Sequence, residues 1–101
     1  MVDNEKQRRE FMRWVLLLTL YNAIPIGAWE EVLLSVAQGI YADATRMEMR
    51  RQLDYLAERG LAKLKKGPDG RWFGELTRDG VDVVEYTVAV EPGIARPEKL
   101  G

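Results

Sequence analysis

Arg46, Arg50 and Arg51 lie within about one and a half turns of a helical pattern, and Lys63, Lys65, Lys66 and Arg71 follow close behind. A guanidinium can pair in bidentate fashion with a phosphate or with the guanine edge, and a lysine ammonium can rest on the phosphate backbone. The chain as a whole has a formal net charge of -1, so it is not a basic protein of the histone-like kind. Its charge is unevenly spread, however. Residues 45–66 carry seven positive side chains against three negative ones, whereas residues 72–101 carry three against six. The chemistry on offer is anion recognition by one third of the chain.

Other chemistries lack their residues. There is no cysteine and no histidine, which removes disulfides, thiolate metal sites and imidazole ligands or bases. Ser35 is the only serine and has no possible histidine partner, so a hydrolase triad cannot be assembled. The carboxylates are scattered in patterns that helix surfaces explain, and we expect no catalysis, no cofactor and no small-molecule substrate. The longest apolar run, Trp14 to Leu20, is too short to span a bilayer, and the mixed charges ahead of it do not form a secretory signal. A cytoplasmic protein is expected.

The elements that must position the cations can be read from spacing. With 101 residues there is room for one domain, expected over 1–91 with a tail over 92–101. Asn4 and Gln7 suggest a capping box opening a first helix that runs to about Ala23. Its buried stripe would be Phe11, Trp14, Val15, Leu18 and Tyr21, with Leu16, Leu17 and Leu20 widening the apolar surface beyond one face. A second helix is expected over about Ala28 to Gln38, facing the core through Trp29, Val32, Leu33 and Val36 and stopped by Gly39. After a short turn, Thr45 and Glu48 form the S/T-x-x-E box that opens a third helix. Met49, Leu53, Leu56 and Ala57 would face inward there, and Met47, Arg50, Arg51, Asp54, Tyr55 and Glu58 outward. Gly60 followed by Leu61 reads as its C-terminal stop.

From Leu61 the apolar period becomes two. Ala62 and Leu64 alternate with Lys63 and Lys65, and Trp72 and Leu76 share one face of a second strand opposite Phe73. Gly67-Pro68-Asp69-Gly70 supplies the turn, and Thr77 can cap a fourth helix carrying Val81, Val84 and Val88. The order of elements predicts a mainly α fold with a small β-hairpin, a winged helix-turn-helix.

In such a fold the helix after the turn lies in the DNA major groove and the hairpin beside the backbone. The candidate DNA-binding residues are Thr45, Arg46, Met47, Arg50, Arg51, Asp54, Lys63, Lys65, Lys66 and Arg71. The competing reading is a protein-protein adaptor, with the same cations forming a solvated face in which Arg50 pairs with Asp54. The wide apolar surface of the first helix predicts a homodimer through Trp14, Leu16, Leu17, Leu20 and Tyr21, unless the fourth helix and the Ile94 tail fold back over it.

The stretch RRQLDYLAERGLAKL, then a hairpin, then ELTRDGVDVVEYTVAVEPGIARP resembles a family of small winged-helix proteins of Mu-like phages and prophages. Arg51, Leu53, Leu56, Gly60, Leu64, Thr77, Gly80, Val84 and the tail Gly93-Ile94-Ala95-Arg96-Pro97 carry the resemblance. It implies a phage protein of the transcriptional-regulator type and brings no ligand-binding residues with it.

Overall fold

The computed structural model describes residues 3–99. Helix α1 spans Asn4–Asn22, strand β1 Ala28–Trp29, α2 Glu30–Ile40 and α3 Arg46–Glu58; β2 (Ala62–Lys66), β3 (Trp72–Leu76) and α4 (Arg78–Val84) follow. The fold is mostly helical, with a three-stranded antiparallel sheet of order β1-β3-β2.

Local signals placed several boundaries. Thr45 caps α3 by accepting from the Glu48 N–H at 3.1 Å, and Gly60 follows the helix with φ +74, a left-handed conformation that costs glycine nothing. Thr77 caps α4 through the Gly80 N–H. The first cap is Asp3 rather than Asn4, and it accepts from the Lys6 N–H. Helix α4 ends at Val84, short of Val88, where the β-branched run meets Tyr86 at φ 62.

The second helix differs more. Ala28 and Trp29 are strand, paired with Gly74 and Phe73, and α2 starts at Glu30 and runs through Gly39. Its buried side is Glu30, Leu33 and Ala37; Trp29 and Val32, expected in the core, are exposed. Strand pairing fixes Trp29 on the sheet, and the helix that follows is rotated accordingly.

Helix α1 is the axle of the core. Met12, Trp14, Val15, Leu16, Leu17 and Leu20 are buried, packed by α2, α3, β3 and α4. The tail completes the cover: Ile94 is buried, the Ala95 N–H donates to the Glu10 carbonyl, and Arg96 donates to the carbonyls of Val83 and Val88. Arg13 binds the Gly93 carbonyl and the Gln52 side chain, its guanidinium 3.6 Å from the centre of the Tyr55 ring. This corrects the expected dimer interface. Leu16, Leu17 and Leu20 have no exposed surface and Trp14 almost none, so a second subunit cannot reach them; half-buried Tyr21 donates to Glu85. The Gly93–Pro97 tail is therefore a structural strap on α1 and α4.

Close approach explains two glycines. A Cβ on Gly74 would stand 3.2 Å from Leu20, and one on Gly80 would collide with the Leu61 carbonyl and Leu76.

Candidate nucleic-acid interface

The first residue of α2 organises the basic face. Glu30 is wholly buried, which a carboxylate tolerates only with charge and hydrogen-bond partners. Arg50 donates to it from Nε at 3.0 Å and from Nη2 at 2.7 Å, the Trp72 backbone N–H donates from β3, and Arg46 Nε lies 3.3 Å away. Arg50 also donates to the Gly70 carbonyl at 2.6 Å and lies over the Trp72 ring at 4.7 Å. One carboxylate thus ties α2, α3 and the hairpin together. Among the described residues no buried side-chain polar atom is left without a partner.

The predicted cations separate into three groups. Arg46 and Met47 are exposed at the start of α3, beside half-buried Arg50. Lys66 joins them because strand alternation turns it to the inner side with Trp72, where its ammonium sits 4.2 Å over the ring and 3.1 Å from Asp54. Asp54 therefore pairs with the hairpin, not with Arg50 as expected. Lys63 and Lys65 point the opposite way, onto the outer face of the sheet with Phe73 and Trp29. Arg71 lies at its rim, 4.1 Å over Trp29. Arg51 is on a third side, lining a polar groove of about 480 Å³ with Glu5, Arg8, Arg9 and Glu48. There Arg8 bridges Glu48 and Asp43.

Ion pairing is extensive. Lys65 holds Glu75 at 2.9 Å and Arg71 holds Glu31 at 2.7 Å; each keeps its partner's carboxyl below the ordinary glutamate range through that side-chain hydrogen bond. Arg8 lowers Asp43 in the same way. Of the candidates, Arg51 and Lys63 have no ion-pair partner among the described residues. Thr45 serves as a cap, its hydroxyl turned to the helix start. The residue that sequence reasoning missed is Glu30. Its signal was its acid type ahead of arginines spaced i,i+4, which one carboxylate can gather.

No protein-family model and no curated protein sequence matches the chain. A crystal structure of a "putative DNA-binding protein" from Ralstonia eutropha JMP134 is similar, with a TM-score of 0.63 and 20% identity over 88% of this chain and all of that one. The likeness is one of fold. Among the described residues no group of three or more acidic side chains is placed to hold a metal ion, and no helix is long and apolar enough to cross a membrane.

Proposed function

We propose that the chain is a winged helix-turn-helix protein that binds duplex DNA, with α3 in the major groove and the β2–β3 turn against the backbone. The observation that carries the reading is the Arg50 clamp. By joining Glu30, Trp72 and the Gly70 carbonyl, it fixes the hairpin tip beside the start of α3, so that Arg46, Met47, Lys66 and the turn form one preset surface. The name of the Ralstonia neighbour supports it. The tail motif adds a phage or prophage regulator as the setting.

Binding is expected to weaken steeply with salt, with a log-log slope of about -3 for three or four phosphate contacts per chain. Fluorescence anisotropy with labelled genomic fragments reads this directly, and no binding at low salt with micromolar protein rejects the proposal. The geometry also divides the lysines. Arg46→Ala with Lys66→Ala should lower affinity at least about tenfold, whereas Lys63→Ala with Lys65→Ala, on the outer sheet face, should change it less than about twofold. Equal losses would show that the outer face meets DNA.

One observation favours a protein-binding adaptor instead. Most cations of this face already have carboxylate partners within the chain, which leaves few to replace counterions.

A further inference from the structure

The outward strip of α3 follows from its buried side. Met49, Gln52, Leu53 and Leu56 face the core, and at about 100° per residue the opposite direction passes through Met47, Arg51, Asp54 and Glu58. Arg46 and Arg50 lie to the hairpin side of that strip, and both are drawn to Glu30. Arg51, on the side towards α1, is exposed and makes no side-chain hydrogen bond or ion pair among the described residues. Its neighbours explain why. Glu48, one turn before it, accepts from Arg8 Nε and Nη2 at 2.7 and 2.8 Å. Asp54, one turn after it, holds Lys66 at 3.1 Å, and the Tyr55 ring carries the guanidinium groups of Arg13 and Arg59 at 3.6 and 4.3 Å. Glu5 shares the groove with Arg51 but forms no ion pair with it. The remaining neighbour at helical spacing is Met47, which is 64% exposed and offers a cation no carboxylate.

We propose that Arg51 is the base-reading residue of α3, pairing in bidentate fashion with O6 and N7 of a guanine while Met47 packs against a neighbouring thymine methyl. The proposal rests on the duplex-DNA reading above and names what that site recognises. Position selects a base edge over a phosphate. Met47 and Arg51 occupy the first half of the outward strip, the part of a recognition helix that reaches the floor of the major groove, whereas Arg46 and Lys66 flank it on the hairpin side. Energetics select Arg51 over the other arginines. Turning Arg50 to a base would strip the buried Glu30 carboxylate of its main counter-charge, while Arg51 has no pair to break. The acids of the strip do not compete, since Asp54 is already bound to Lys66 and Glu58 stands at the far end of the helix. Side chains one turn apart are about 5–6 Å from each other and stacked base pairs about 3.4 Å, so Met47 and Arg51 read within about two base pairs.

Selection of duplexes from a random library by the full chain should return a site with an invariant guanine. The wild type should bind that site about tenfold or more tightly than the same duplex with the G·C pair changed to A·T, and Arg51→Ala should bind the two alike. Replacing the guanine by 7-deazaguanine, which lacks the N7 acceptor, should weaken the wild type and leave Arg51→Ala unaffected. Arg51 is exposed and unpaired, so its alanine variant should keep the wild-type thermal midpoint within about 4 °C, and a lost preference then reports recognition and not folding. If Arg51→Ala weakens all sequences alike and lowers the salt slope by about one, the residue meets a phosphate, and the assignment is overturned while DNA binding stands. A wild type that binds duplexes without preference, or a preference that survives Arg51→Ala, overturns it in the same way. A wild type that binds no duplex at low salt overturns the assignment and the DNA reading together.

Discussion

Glu30→Ala is expected to lower stability by about 3–5 kcal/mol, the usual cost of removing one partner from a buried charge pair. Arg50 would keep its position under the hairpin with its main counter-charge gone, and the Trp72 N–H would lose its acceptor. For a domain of this size the loss corresponds to a fall in Tm of about 12 °C or more. Thermal and urea unfolding followed by circular dichroism measure it. Glu30→Gln keeps an acceptor for Trp72 and should recover part of the difference. A change below about 1 kcal/mol for the alanine variant would show that the hairpin is held by packing alone. The same logic reassigns Arg50. Its alanine variant should lose stability as well as DNA affinity, so an affinity loss measured there does not identify a base contact.

Leu17→Glu should be the more damaging change. Leu17 has no exposed surface, and around it lie the side chains of α1's neighbours with no cation among the fully buried ones. An unpaired carboxylate there costs several kcal/mol on top of the lost packing, comparable to the roughly 5–15 kcal/mol that stabilises a whole domain. The expected result is a chain that does not fold, seen as loss of the cooperative thermal transition. A folded, monomeric Leu17→Glu protein would mean that this side of α1 is open to solvent.

The sequence made the locally determined parts legible. The α3 cap at Thr45, the Gly60 stop, the hairpin turn and the Thr77 cap each depend on residues within four positions of one another, and the structure has all of them. Features set by distant partners were hidden. Nothing adjacent to Ala28 and Trp29 announces a strand, because two residues become one only when β3 lies beside them. The pairing of Arg50 is decided by a residue twenty positions away, and helical spacing offered Asp54 as the nearer candidate. Alternation in β2 did contain the separation of Lys65 from Lys66, since neighbouring residues in a strand face opposite ways. Helix α1 was read correctly as needing cover on several sides, but whether that cover came from the same chain depended on the path of the tail.

That tail sets the order in which the molecule can open. Gly93 to Pro97 belong to no helix or strand, yet they are bonded to α1 and α4 and anchored by Ile94. The Ala95 amide is sheltered from hydrogen exchange only while the strap is seated, whereas the amides of Leu16 and Leu17 are released by unfolding of the core itself. The gap between the two exchange free energies is the part of the stability that belongs to the core without its strap.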